Sequence, residues 1–249
     1  MYTETEGIVL KQTKIAAGRR MILLFSKRYG KISAGTSISE GGKNRAALAL
    51  RPFVYGKYQI KKAGESYHIN GCETLASHYS IGDDVDKYLC ASLGMEFTNK
   101  ILPEEAPAPR HFLLLAEFLD VMEKRDKKHE TLLMAYQLKT LALLGSAPRL
   151  DSCVLCGERE GLSGFCAEEG GIVCMNCINS GVNKARLIYT AEFDIVNVIN
   201  FLMQRPLSSF ENLALEERTL IWLKEVLKNY IDCHLGIGCL KSEECMRLR

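Results

Sequence analysis

The stretch CVLCGEREGLSGFCAEEGGIVCMNC, Cys153 to Cys177, holds five of the ten cysteines of this 249-residue chain. Cys153-x2-Cys156 and Cys174-x2-Cys177 are separated by 17 residues, inside the spacing window of four-cysteine zinc sites. Two intervening residues let a tight turn aim two sulfurs at one point, and zinc takes four thiolates as a tetrahedron at about 2.3 Å each. Gly157 follows the first pair, and Gly161, Gly164, Gly170 and Gly171 keep the intervening loop pliable. Phe165, Ile172 and Val173 are expected to pack as a short hairpin. Four thiolates close the coordination shell, so the expected ion is one structural Zn2+ held by Cys153, Cys156, Cys174 and Cys177, which substitutes for a core the segment is too small to build. An iron–sulfur cluster uses four cysteines as well and stands as the alternative. A thioredoxin-like pair needs one Cys-x2-Cys at a helix start beside a βαβ unit, and that context is missing. Cys166 is spare: a packing residue, or a stand-in for one of the four ligands. Cys72, Cys90, Cys233, Cys239 and Cys245 show no pairing pattern and read as small buried hydrophobes.

Charge is the second constraint. The net charge of +2 conceals an uneven distribution. Residues 1–80 carry 13 Lys and Arg against 5 Asp and Glu, whereas residues 151–182 carry 1 against 5. Basic surfaces attract polyanions by counterion displacement, so residues 1–80 are where a nucleic acid is expected to sit. A solvated basic face without a partner is the plainer reading of the same numbers.

Residues 1–80 read as five short strands: GIVLKQ, RMILLFS, KISAGTS, FVYGKYQIKK and SYHINGCET. Turn chemistry separates them at Ala17-Gly18, Arg28-Tyr29-Gly30, Glu40-Gly41-Gly42 and Ala63-Gly64. Phe53, Tyr55 and Lys57 alternate with Val54, Gly56 and Tyr58, as in a strand with two different faces. Five strands suit a closed OB-fold barrel; an SH3-like barrel fits the count nearly as well. NRAALALR supplies a helical turn between the third and fourth strands. From Asp83 the period changes. Val85, Leu89, Leu93, Phe97 and Ile101 mark a helix capped at Asp83-Asp84 and ended by Pro103, Pro107 and Pro109. Two more helices follow, HFLLLAEFLDVMEK and HETLLMAYQLKTLALLG, the latter stopped at Gly145. Beyond the cysteines, Thr190 is expected to cap AEFDIVNVINFLM. A last helix runs from about Glu216 to His234 and ends at Gly236, with the stripe Leu220, Leu223, Leu227, Tyr230 and Ile231. The helices on both sides of the cysteines are expected to bury their stripes together as one bundle. The fold class is thus α+β and multidomain: an OB-fold barrel at residues 1–80, a helical domain at 81–150 and 183–249, and an inserted zinc segment at 151–182.

Catalytic patterns are missing. None of His68, His78, His111, His129 and His234 sits in HExxH, and the chain has neither a Gly-x-Ser-x-Gly elbow nor a Walker loop. The expectation is a protein that is not an enzyme. No apolar run reaches the roughly 18 residues of a membrane span, and the N-terminus lacks a secretory signal pattern, so a cytoplasmic protein with no membrane partner is expected.

The order of these parts resembles the RecO family of bacterial recombination mediators. The resemblance is carried by GIVLKQ at the start, LLFSKRYGKISA, ALRPF after a basic loop, LKTLALLGSAPRLDSCVLCG, and the closing YIDCHLG with LKS. It spans nearly the whole chain. It implies a DNA repair and recombination protein, associated with the bacterial nucleoid, that binds single- and double-stranded DNA and anneals complementary strands. With RecR, such proteins help load RecA on strands coated with single-stranded-DNA-binding protein, whose C-terminal tail is expected to dock on the helical domain. A zinc-ribbon adaptor acting only through protein contacts, in transcription for instance, is the alternative from another class. The expected DNA contacts are Arg19, Arg20, Lys27, Arg28 and Lys31 around the first hairpin, and Lys43, Arg45 and Arg51 around the following loop. Tyr29, Phe53 or Tyr55 are candidates for base stacking, with core packing favoured for Phe53.

Overall fold

The structure, a computed structural model, describes residues 2–15, 19–38, 45–180, 186–238 and 240–247. The chain divides into two compact units, Met1–Lys124 and Arg125–Arg249.

In the first unit, β1 (Thr3–Lys14), β2 (Arg20–Ser26), β3 (Gly30–Thr36), β4 (Tyr55–Ala63) and β5 (Ser66–Ala76) close into a barrel ordered β1-β2-β3-β5-β4. Every pairing is antiparallel except β3 with β5, and β4 returns to pair with β1. That order is the OB-like Greek-key barrel, and it removes the SH3-like alternative. Alternation explains the interior. On β4, Tyr58 and Ile60 are buried while Lys57, Gln59 and Lys61 face out. They join Val9, Ile22, Leu24, Ile32, Ala34, Tyr67 and Ile69 in the core. The fourth strand begins at Tyr55, not Phe53. Phe53 has φ of 72°, left-handed backbone that a β-strand cannot use. Its buried ring meets Tyr88 edge-on at 5.4 Å, so Phe53 is core as favoured. The helical turn expected between β3 and β4 is α1 (Arg45–Leu48). Leu50 just beyond it enters the barrel core, and the carbonyl of Ala49 accepts the buried Tyr58 hydroxyl at 2.7 Å.

β1 and β2 also bury residues on their outer face. Ile8 and Phe25, which face each other across the ladder, are both fully buried. The cover comes from α3 (Pro109–Lys124), whose Phe112 packs edge-on against Phe25 at 5.4 Å and Tyr55 at 5.8 Å. Pro109 therefore opens a helix, where its missing N–H costs nothing, and does not merely end the preceding one. That preceding helix, α2 (Val85–Ile101), is capped by the Asp84 side chain, which accepts from Lys87 N–H at 2.7 Å. Its buried side centres on Cys90, Ala91, Gly94, Phe97 and Thr98, and Val85 is exposed. A strict four-residue step drifts around a helix of 3.6 residues per turn, so it tracks the buried face only part of the way. His78 ties α3 to the barrel: its Nδ1 lies 2.8 Å from Phe53 O and its Nε2 2.7 Å from Asp120 Oδ1.

In the second unit, α4 (His129–Leu143) stops at Gly145 as expected, where Ser146 N–H returns to Leu141 O at 2.9 Å. α4 packs against α6 (Ile195–Gln204) and α7 (Glu217–Leu235), so helices from both sides of the cysteines share a core. The whole expected stripe of α7 is buried. Between them lie β6 (Leu162–Cys166), β7 (Gly171–Cys174), α5 (Met175–Asn179) and β8 (Ile188–Thr190), with the strands ordered β7-β6-β8. The hairpin expected around Phe165 and Ile172 is β6–β7, in which those two residues pair. Thr190 is not the cap of α6. It pairs with Gly164 in β8 and its carbonyl accepts from Trp222 Nε1 at 3.0 Å; Asp194 caps α6, accepting from Asn197 N–H at 2.9 Å. Phe165 holds the sheet to α7 through edge contacts with Trp222 at 6.4 Å and Tyr230 at 6.0 Å. A short α8 (Lys241–Arg247) follows.

Candidate metal centre and basic barrel surface

Two local turns aim the four sulfurs. In the first, Gly157 N–H donates to Cys153 O at 2.9 Å and Cys153 N–H to Glu158 O at 2.7 Å. Gly157 sits at φ of 82°, which a residue with a Cβ rarely adopts. In the second, Cys174 ends β7 and Cys177 lies in α5, with Met175 N–H donating to Gly161 O at 2.8 Å. The hairpin brings the turns together. The four Sγ atoms all lie within 4.8 Å of one another, and Cys156 Sγ is 3.6 Å from Cys174 Sγ. A disulfide would need about 2.05 Å, and these cysteines are free. A tetrahedron with sulfurs about 2.3 Å from its centre has edges of about 3.8 Å. The observed spacing therefore fits one ion among four thiolates. Among the described residues this is the one such group of ligand side chains found.

The electrostatics agree with that geometry. Burial pushes the Cys153 thiol up, but N–H groups of Cys174, Leu155 and Cys156 outweigh it and bring it down to about 6. At Cys156 the Glu158 N–H lowers the thiol, yet the side chains of Cys153 and Cys174 leave it raised. Cys177 is raised, foremost by the neighbouring Cys156 thiol. Thiols this close oppose each other's ionisation, and a shared cation removes the opposition. Cys166 is fully buried behind the cluster with Val173 and lies outside the group of four. Its thiol is pushed up by burial. It packs.

The basic side chains are less uniform than their sequence positions suggest. Arg19, Lys27, Arg28 and Arg51 are exposed. Lys27 pairs with Glu6 at 3.1 Å, and Arg28 lies 5.7 Å from the Tyr29 ring centroid. Arg20 is 3% exposed and its guanidinium donates to Ile38 O. Lys31 is 8% exposed, and its Nζ donates to Asn99 O at 2.6 Å. Both cations are thus engaged by the protein's own backbone. Arg45 begins α1, and Lys43 lies outside the described residues. Arg19 precedes β2 while Lys27 and Arg28 follow it, so the seven-residue strand separates them by about 25 Å. Tyr55 is held between Phe112 and the Glu6 carboxylate, at 2.7 Å from its hydroxyl, which withdraws it from stacking; Tyr29 is half-buried. Lys57, Lys61 and Lys62, outside the expected set, are all exposed on β4. The alternation of YGKYQIKK carried that signal, since Tyr58 and Ile60 inside force Lys57 and Lys61 outside.

Among the described residues, no helix is long and apolar enough to cross a membrane. The family description Recombination protein O N terminal matches residues 1–78, and Recombination protein O C terminal matches residues 82–244. A protein of Thermoanaerobacter sp. (strain X514) described as DNA repair protein RecO is 38% identical over 234 residues, covering 94% of this chain and 93% of its own length. A protein of the same description from Alkaliphilus metalliredigens is 30% identical over 238 residues, with 94% of each chain covered. With both terminal descriptions matched in order and relatives aligned along nearly their full length, the chain belongs to the RecO family of DNA repair proteins.

Proposed function

We propose that this protein is a recombination mediator that binds single- and double-stranded DNA through the barrel and anneals complementary strands without bond chemistry. With RecR, it helps RecA replace the single-stranded-DNA-binding protein, whose acidic tail docks on the helical part. The observation that carries the reading is the OB-like barrel order on the most basic third of a RecO-family chain. Exposed Arg19, Arg28 and Arg51, with Lys57 and Lys61, neutralise phosphates, so affinity falls steeply with salt; Lys27 is already paired with Glu6. Annealing then follows from shielding two backbones while their bases stay free to pair.

The four-cysteine group holds a structural Zn2+. Bound there, the ion closes the shell with four thiolates and supplies cross-linking rather than an open catalytic position. Cys153 and Cys156 fix the start of the segment, Cys174 and Cys177 its return, and Cys166 fills the space behind them. The protein works in the cytoplasm, at the nucleoid. The test is annealing of complementary strands pre-coated with single-stranded-DNA-binding protein. Acceleration by the protein is expected; no acceleration, with no binding to bare strands, would refute the reading.

A further inference from the structure

The segment joining α2 to α3 includes PEEAPA, Pro103 to Ala108, which is rich in proline and carries two adjacent glutamates. Its backbone runs along β3. Glu104 forms an isolated parallel bridge with Lys31, and Glu105 N–H donates to Lys31 O at 2.9 Å. Gly30, at φ of 70°, makes room for it: a Cβ there would stand 2.1 Å from Ala106 O. These anchors are all main-chain and do not run through either glutamate side chain.

The Glu105 side chain does something else. Its Oε2 accepts from Lys62 Nζ at 2.8 Å and from the Tyr67 hydroxyl at 2.8 Å. Lys62 Nζ also donates to the Tyr67 hydroxyl at 2.8 Å and lies 4.7 Å from that ring's centroid. The Tyr29 ring is 5.7 Å from Tyr67, and Arg28 Cζ lies 5.7 Å from the Tyr29 centroid. One anionic oxygen is thus held by an ammonium and a phenol, beside an aromatic pair. A non-bridging phosphate oxygen asks for the same donors, since carboxylate and phosphodiester are both monoanionic acceptors. The side chains of Lys62 and Glu105 are 47% and 48% exposed, so a polymer can reach the ammonium from solvent; Tyr67 is 5% exposed, with its hydroxyl meeting those two side chains.

We propose that Lys62 and Tyr67 form a phosphodiester seat on the barrel, and that Glu105 fills it in the free protein as a built-in competitor for nucleic acid. The inference rests on the barrel's proposed role as the DNA-binding surface. It makes the α2–α3 segment a brake on that surface. While the carboxylate is seated, Lys62 is already neutralised and adds nothing to polyanion binding. Removing the carboxylate frees one phosphate contact and leaves the segment anchored.

The experiment measures binding of the full-length protein to a fluorescent thirty-nucleotide oligothymidylate across a salt series. Glu105→Ala is expected to bind roughly two- to fivefold more tightly at low salt, with a log–log salt slope steeper by about 0.7. Lys62→Ala strands the Glu105 carboxylate and is expected to weaken binding slightly, and Glu105→Ala in that background to gain no more than Glu104→Ala gains alone. Glu104→Ala removes an equal charge one residue away and separates a seat from general repulsion. An unchanged Glu105→Ala, an equal gain in Glu104→Ala, or an undiminished gain in the Lys62→Ala background would overturn the seat while wild-type binding upholds the DNA reading. Absence of binding by both wild type and Glu105→Ala would sink the two together. Melting temperatures of all variants verify that the barrel is folded.

Discussion

Replacing Cys156 with serine separates a metal ligand from a packing cysteine more sharply than any other change. Cys156 is exposed and takes no part in the apolar core, so its loss costs little packing. What it does carry is one corner of a thiol group whose 3.6 Å edge to Cys174 matches a four-sulfur site. Structural zinc contributes apparent binding free energies of about 10–16 kcal/mol. Shared over four thiolates, that is about 3 kcal/mol per ligand, or roughly 100-fold in affinity. Cys166→Ser is the counterpart. Cys166 is fully buried and outside the metal group. The Glu169 and Glu168 N–H groups that face this sulfur can serve a serine hydroxyl, so the change costs about 1 kcal/mol of stability through lost apolar burial and leaves metal affinity alone. The assay is zinc content by mass spectrometry together with competition against a chromogenic chelator, alongside thermal melting. One zinc per chain in the wild type and in Cys166→Ser is expected, with weakened retention only in Cys156→Ser. Wild-type zinc retention in Cys156→Ser, or zinc loss in Cys166→Ser, would refute the assignment of ligands.

Three further outcomes follow from the barrel. Arg19→Glu is expected to weaken oligonucleotide binding and flatten its salt slope without moving the melting temperature, because Arg19 is exposed. Arg20→Ala should lower the melting temperature instead, because it strips a buried donor from Ile38 O; a melting curve like the wild type's would contradict that role. The Glu6 carboxyl is held below its usual 4.5 by the Tyr55 hydroxyl and by Lys27. A depressed carboxyl stabilises the fold above its unfolded value and loses that contribution as pH falls through the folded one. Glu6→Gln is therefore expected to be less stable than wild type near neutrality and to converge with it in acid. Parallel stability curves down to pH 3 would count against the contact.

Much of the metal centre was legible because its information is local. Each Cys-x2-Cys builds its own turn, and a glycine such as Gly157 marks where the backbone must be left-handed. The strands of the barrel were legible for a similar reason: side chains alternate along a strand, as Tyr58 and Ile60 do against Lys57 and Lys61. Alternation says nothing of which strands meet. Hence the sequence left OB-like and SH3-like barrels open until the parallel β3–β5 closure decided between them. Helix ends misled where a neighbour competed for the capping residue. Thr190 had the right chemistry for a cap, but the edge of β6 recruited it into β8 and left α6 to Asp194.

By itself, then, the sequence determined the pieces and their order: a basic run of alternating strands, amphipathic helices, and two cysteine pairs at ligand spacing. Only the tertiary structure decided which charges are available. Arg20 and Lys31 read as surface cations, yet the backbone carbonyls of Ile38 and Asn99 take them inside, while Glu105, 43 positions from Lys62 in the chain, comes to rest on its ammonium. The reason is that burial and ion pairing are set by what the folded chain brings close in space. A side chain's own neighbours in sequence carry no record of partners that distant.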